Sequence, residues 1–325
     1  MISGHGDDLH KYDGIVSNFS SNIYAGFCHK GLFGHLCSLM NRIANYPEPS
    51  AHSLEEALAS FYRIPKNCVM AANGATEAIY LIAEAFRDFI PVIPQPTFSE
   101  YSDACRDCSG EPGGRSLRWL CIPNNPTGHV MPKGELLDLI AQKPNDIFVI
   151  DASYAGYTRE EVLTVSEAVS MGNVLMLRSM TKDYGVPGIR LGFVVGNSDL
   201  LGKVRAKRMP WSVNALAIEA GLYLLAHHSE YEIPLEMLIG ERSRMERELN
   251  ARGIETCHSD SHMLLCLLPD LSAGELKEYL AGSHGILIRD AGNFETLTDR
   301  HFRIAVQSKE QNSKLLEAVD SFYKM

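Results

Sequence analysis

No stretch of this chain approaches the roughly 18 consecutive apolar residues of a membrane-crossing helix, although 45% of its 325 residues are hydrophobic. Its opening, Met1-Ile2-Ser3-Gly4-His5-Gly6-Asp7-Asp8, has no basic segment followed by an apolar one, so a cytoplasmic protein with no membrane partner is expected. Positive charge is scarce too: 30 Lys and Arg against 40 Asp and Glu give a formal net charge of -10, and no Lys/Arg-rich stripe runs through the chain. Nucleic acid is therefore not an expected partner, since phosphate backbones are held by clustered cations. Zinc-like spacing is also missing. Cys105-Arg106-Asp107-Cys108 has no second Cys or His pair to complete a site, and no metal is expected. The eight cysteines are irregularly spaced, which fits reduced thiols better than a disulfide framework. Internal repeats and low-complexity segments are absent, so solenoids and disordered linkers drop out.

What remains has the composition of a globular protein, with 22% charged residues and length enough for one large and one smaller domain. A polar arm is expected through Tyr46. The helix expected at Ser53–Tyr62 opens on a cap-like Ser53 with Glu56 three residues on. A helix over about Thr76–Phe89 and another over Lys133–Ala141 alternate with apolar strand candidates at Pro91–Ile93, Trp119–Ile122, Ile147–Ile150, Val174–Arg178 and Leu191–Val195. That alternation predicts a mainly parallel sheet with helices on both faces, and ligands in such sheets bind beyond the carboxyl ends of the strands. Helical patterns at Ala215–Ala226, Ile233–Arg252, Gly274–Gly282 and Lys309–Tyr323 then surround strand candidates at Met263–Leu268, Ile286–Arg289 and Phe302–Val306. The expected division is an arm and start of a small domain over 1–46, a large domain over 47–213, and a linking helix with a small α+β domain over 214–325.

The chemistry concentrates around Lys182, in Ser179-Met180-Thr181-Lys182-Asp183-Tyr184-Gly185-Val186-Pro187-Gly188-Ile189-Arg190. A lysine with a serine three residues before it and an arginine eight after it, in a Gly/Pro-rich loop, has the parts to hold a phosphorylated aldehyde. Lys182 offers the amine that condenses with the aldehyde, while Ser179 and the planar fork of Arg190 suit its phosphate. Pyridoxal 5'-phosphate answers that description. Three further segments support it. Asn124-Asn125-Pro126-Thr127-Gly128 follows an apolar run, Phe148-Val149-Ile150-Asp151 is a buried-strand pattern ending in a carboxylate, and Asn73-Gly74-Ala75-Thr76 opens a helix with free backbone N–H groups that suit an anion.

In this order the motifs resemble those of the fold-type I pyridoxal-phosphate enzymes, the aspartate aminotransferase superfamily of class I and II. The resemblance implies an α/β fold with a large domain holding a mainly parallel, seven-stranded-type sheet between helices, plus a small C-terminal domain. It implies that Lys182, Asp151 and Tyr154 are the catalytic set, with Asp151 paired to the ring nitrogen. Asn125 and Tyr154 would hold the ring's phenolic oxygen, and Phe98 would stack on its face. Gly74, Ala75, Thr76, Ser179 and Arg190 would form the phosphate cup. Tyr46 would reach the phosphate from a neighbouring subunit, which implies a homodimer with shared active sites. The spacing between Phe98 and the Asn-Pro-Thr-Gly turn is shorter than usual in these enzymes, so an edge element is expected to be trimmed around 109–115.

Substrate class rests on two arginines, Arg289 and Arg303, both in strand candidates. An arginine among Phe302, Ile304 and Val306 has its charge near a cleft or core, and a bidentate partner is the cheapest way to satisfy it. By resemblance Arg303 binds the substrate carboxylate and Arg289 adds a second cation, as in enzymes acting on phosphorylated amino acids. Within the superfamily the chain looks most like the L-threonine-O-3-phosphate decarboxylases, which serve cobalamin biosynthesis, and next like the histidinol-phosphate aminotransferases. Its opening, with His5 followed by Phe19-Ser20-Ser21-Asn22, resembles the decarboxylases and makes His5 and Asn22 substrate-binding candidates, although Asp7 stands where a glycine is usual. A binding module that keeps the fold without catalysis is the alternative class, and the presence of Lys182, Asp151, Asn125 and Arg190 speaks against it.

Overall fold

The computed structural model describes residues 7–324. The chain opens with β1 (Ser17–Asn18), α1 (Lys30–Ser38), α2 (His52–Tyr62), β2 (Val69–Ala72) and α3 (Gly74–Ala85). There follow β3 (Ile90–Val92), α4 (Glu100–Ala104), β4 (Ser116–Cys121), α5 (Lys133–Gln142), β5 (Ile147–Asp151), α6 (Val165–Ser170) and β6 (Val174–Arg178). Next come α7 (Met180–Tyr184), β7 (Gly192–Gly196), α8 (Ser198–Arg205) and α9 (Ala215–Ala226). The C-terminal part holds α10 (Leu235–Ala251), β8 (Glu255–Thr256), β9 (Met263–Leu267), α11 (Ala273–His284), β10 (Ile286–Leu287), β11 (Arg289–Asp290), β12 (His301–Ala305) and α12 (Lys309–Phe322).

The main sheet has the order β2-β7-β6-β5-β4-β3. The β3-β4, β4-β5 and β5-β6 pairs are parallel, while β7 runs antiparallel to both β6 and β2. Side chains alternate between two cores, as the two-residue period of a strand requires. On β5 and β6, Val149, Leu175 and Leu177 enter the core shared with α3, α8 and the C-terminal part, whereas Phe148, Ile150, Val174 and Met176 enter the core under α2, α5, α6 and α9. Burial on both faces explains why these strands read as unbroken apolar runs.

Several expectations need correcting. The sheet has six strands rather than seven: the stretch from Cys105 to Arg115 forms turns, with Ser109 N donating to Arg87 O and Ile90 N to Arg115 O, and adds no strand. Ser53 does not cap α2. The cap position is Ala51, in the left-handed region at φ 50, and Ser53 N instead donates to Glu48 Oε2 at 2.8 Å. The expected strand over Ile286–Arg289 is two strands, because β10 pairs with β1 and β11 turns to pair with β12. The arm also holds more structure than its polarity suggested, including α1, anchored by the fully buried Leu32. Strand β2 escaped notice because Ala71 and Ala72 have weak β propensity, although all four of its residues are buried.

Candidate active site

The parallel strands β4, β5 and β6 end at one edge of the sheet, and each delivers a candidate residue there. β5 ends on Asp151 itself. β4 runs into the turn at Asn124–Gly128, which is held by Gly128 N donating to Asn124 O and by the Asn124 side chain bonded to Pro96 O and Thr127 Oγ1. Gly128 sits at φ 73 against Ser259, where any Cβ would collide with the serine hydroxyl 2.0 Å away, so only glycine closes this turn and places Asn125. β6 leads through Ser179 into α7, and the Lys182 carbonyl there accepts from Tyr157 Oη at 2.8 Å. Facing these, α3 begins directly after β2 and presents Ala75 and Thr76.

Together they enclose a cavity of about 340 Å³. Of the residues expected from the sequence, Asn22, Ala75, Thr76, Phe98, Asn125, Asp151, Tyr154, Ser179, Lys182, Arg190, Arg289 and Arg303 all line it. Three stand apart. Gly74, at φ 77, is not among the lining residues, and a Cβ on it would come 2.5 Å from Arg190 Nη2. Tyr46 is 85% exposed, stacked on Trp211 with ring centroids 5.3 Å apart and facing outward from its own chain. His5 lies outside the described residues. The cavity also takes in residues that were not singled out: Asp7, Tyr101, Ser153 and Thr181. Tyr101 falls three positions after Phe98, a helical spacing that could have pointed to it.

Electrostatically the pocket is crowded with cations that burial leaves poorly solvated. The Lys182 amine donates to Ser21 O at 2.7 Å, and burial, helped by Arg303 and Arg190 against the pull of Asp7 and Asp151, lowers its pKa to about 7. An amine of that pKa is about half unprotonated at neutral pH, which leaves a large fraction able to act as a nucleophile. Arg303 donates to Asn125 Oδ1 and to Ser20 O, while its buried Nε has no hydrogen-bond partner. Burial, with Arg289 adding repulsion and Tyr154 opposing, brings its pKa down to about 9. Arg289 is also buried, donates to Asn293 Oδ1 at 2.6 Å, and is pushed down by burial while Asp290 and Asp8 hold it up. The two arginines are direct cross-strand partners on β11 and β12.

The donor set fits pyridoxal 5'-phosphate on several structural grounds. The cavity volume lies in the range of about 300–1,000 Å³ usual for such sites. Thr76 at the N-terminus of α3, Ser179 and Arg190 line one part of the cavity, a donor set that suits a phosphate, and a Cβ at position 74 would press into the Arg190 guanidinium. Asp151 offers a buried carboxylate, and Asn22 Nδ2 donates to Tyr154 Oη at 3.1 Å beside Asn125. Thr181 Oγ1 is buried without a partner at the base of the same pocket.

Residues 15–115 and 112–319 match the family described as aminotransferase class I and II. The chain is similar to the threonine-phosphate decarboxylase of Salmonella typhimurium, at 28% identity over 350 residues that cover 98% of this chain and 96% of that one. It is also similar to a histidinol-phosphate aminotransferase of Desulfitobacterium hafniense, at 27% identity over 308 residues, 86% of this chain and 84% of that one. Among solved structures, the L-threonine-O-3-phosphate decarboxylase from Porphyromonas gingivalis superposes with a TM-score of 0.90 at 34% identity, covering 95% of this chain and 100% of that one. The matched span runs from the first strand to the last helix and contains every described residue of the pocket except Asp7, and on these grounds the chain belongs to the aminotransferase class I and II family, with its fold-type I architecture.

Proposed function

We propose that this protein is a pyridoxal-phosphate-dependent lyase that decarboxylates L-threonine O-3-phosphate to (R)-1-amino-2-propanol O-2-phosphate, the linker precursor of cobalamin. The observation that carries this reading is the pair of buried cross-strand arginines, Arg289 and Arg303, in the same cavity as Lys182 and Asp151. Two adjacent cations there call for a substrate with two anionic groups, and a phosphorylated amino acid has a carboxylate and a phosphate. Its similarity to two threonine-phosphate decarboxylases supports the same choice.

The cofactor, when bound, supplies an electron sink for the pair left behind when CO₂ departs. The chain's own residues do the rest. Asp151 would hold a proton at the ring nitrogen, Phe98 would cover the ring face, and Asn125 and Tyr154 would hold the phenolic oxygen. The cradle of Ala75, Thr76, Ser179 and Arg190 anchors the phosphate, with Gly74 giving Arg190 room. Arg303 and Asn125 hold the substrate carboxylate, and Arg289 with Asn22 takes the substrate phosphate. The buried Lys182 amine would hold the cofactor's aldehyde carbon and would supply the proton returned to Cα.

The working form in this reading is a cytoplasmic homodimer with shared sites. Phe33, Met40, Ile43, Tyr46, Met209 and Trp211 are exposed apolar side chains on segments that pack on one another, and a second copy of this chain would cover them.

Histidinol-phosphate transamination would use the same cofactor contacts, and a product assay separates the two. Purified protein given L-threonine O-3-phosphate is expected to release CO₂ stoichiometrically with the amino-alcohol phosphate. If it releases none, and instead forms glutamate from histidinol phosphate and 2-oxoglutarate, the decarboxylase reading fails.

A further inference from the structure

The Asp151 carboxylate is surrounded by more donors than a single contact to a ring nitrogen requires. Its Oδ1 accepts from Ser153 N at 3.0 Å and from Ser153 Oγ at 2.5 Å, and its Oδ2 accepts from Tyr101 Oη at 2.7 Å. An ionised carboxylate offers about four lone-pair directions, so these three bonds lock its plane and leave one direction on Oδ2 for the cavity. Tyr101 is itself held rigidly. It is 1% exposed, its ring stacks on Trp119 at 5.1 Å and 17°, and burial beside Asp151 holds its hydroxyl protonated as a donor. The ring also meets Phe98 edge-on, with centroids 5.7 Å apart and planes at 85°. One buried side chain of the pocket wall thus touches both the carboxylate expected at the ring nitrogen and the aromatic expected on the ring face.

We propose that Tyr101 is a positioning residue for the cofactor ring, aiming Asp151 at the ring nitrogen through its hydroxyl and seating Phe98 over the ring face through its edge. The inference rests on the pyridoxal-phosphate reading of the pocket and adds a residue outside the direct contacts. The two halves of the role separate by substitution. Tyr101→Phe keeps the stack on Trp119 and the edge contact with Phe98 but removes the donor to Asp151, whereas Tyr101→Leu removes the ring contacts as well.

The test is reconstitution of apoprotein with pyridoxal 5'-phosphate, reading the dissociation constant and the pH titration of the bound cofactor's absorbance. Thermal unfolding of each apoprotein checks that it is folded. Loss of a hydrogen bond to a charged group is expected to weaken binding by about tenfold in Tyr101→Phe and to displace the absorbance titration, and Tyr101→Leu should weaken binding further. Ser153→Ala supplies an internal control: because both residues bond the same carboxylate, the double variant Tyr101→Phe/Ser153→Ala should depart from the sum of the single effects. A Tyr101→Phe protein whose affinity stays within about twofold of wild type, with an unmoved titration, overturns the proposal. If Tyr101→Phe does not fold, the Ser153→Ala titration decides alone, and an unmoved midpoint there also overturns the aiming of Asp151. Wild-type protein that binds no pyridoxal 5'-phosphate overturns the reading of the pocket instead, so the two failures are distinguishable.

Discussion

Lys182 shows how strongly a single residue's chemistry depends on its surroundings. An ordinary lysine titrates near 10.4, but burial with Arg303 and Arg190 nearby brings this one to about 7. Because the folded-state value is depressed, the folded protein binds fewer protons than the unfolded chain between about pH 7 and pH 10.4, and this residue's contribution to stability rises with pH across that window. The amine's reactivity follows the same titration. Capture of pyridoxal 5'-phosphate, trapped by borohydride and mapped by peptide analysis, is expected to rise with a midpoint near pH 7 and to label Lys182. A midpoint near 10, or a label on another lysine, contradicts the assignment. Arg289 allows a test of specificity at the same scale. Arg289→Ala removes the cation assigned to the substrate phosphate, and losing a buried charged contact typically costs about 2–5 kcal/mol. The expected result is a large fall in kcat/KM for L-threonine O-3-phosphate with little change for unphosphorylated threonine, measured as CO₂ release. Unchanged preference in the variant means that Arg303 or another donor carries the phosphate.

At the scale of elements, each cofactor-site residue depends on a local backbone device. The sharpest is the start of α3. Gly74 lies at φ 77, and Arg190, itself in the left-handed region at φ 59, lays its guanidinium where a side chain at 74 would be. Gly74→Ala must both strain the backbone, at about 1–3 kcal/mol, and displace Arg190. The expected outcome is a lowered melting temperature together with a pyridoxal 5'-phosphate dissociation constant raised well beyond that of wild type. A variant that melts earlier but binds with unchanged affinity would detach Arg190 from the phosphate. These devices also explain what was legible in the sequence. Buried parallel strands such as Phe148–Asp151 announced themselves because both of their faces are apolar, and the turns after them carry Asn, Gly and Pro residues with definite geometric duties. Strand β2 and helix α1 were hidden because long-range partners stabilise them: β2 by pairing with β7, and α1 by packing against α9. Tyr101 went unassigned, since nothing in local sequence shows that its hydroxyl faces Asp151 across 50 positions. The break in Ile286–Asp290 was equally invisible, because the apolar run Ile286–Ile288 continues up to the point where the strand changes partner.

On the scale of the whole molecule, the site is assembled by long-range closure of the chain on itself. The arm supplies Ser20 O to Arg303, Ser21 O to Lys182 and Asn22 to Tyr154, so residues separated by 132–283 positions meet in one pocket. Asp8 pairs with Lys277 of α11 at 2.7 Å, and β1 pairs with β10, which fixes the arm to the C-terminal part. What a single chain does not contain is Tyr46 near its own phosphate cradle: that side chain stands 85% exposed beside Trp211, within the apolar surface proposed for the second copy. If Tyr46 serves the partner's cradle, defects in Lys182 and Tyr46 must complement between subunits. Tyr46→Asp places a carboxylate against the cofactor phosphate and should be inactive alone, as should Lys182→Ala. In a hybrid dimer one site takes both defects and the other takes neither. Random reassortment makes half of the dimers hybrids, so the mixture is expected to recover about a quarter of wild-type CO₂ release. If Tyr46 acted within its own chain, every site in the mixture would retain one defect and no activity would return, which makes recovery after co-refolding the measurement that assigns the shared site.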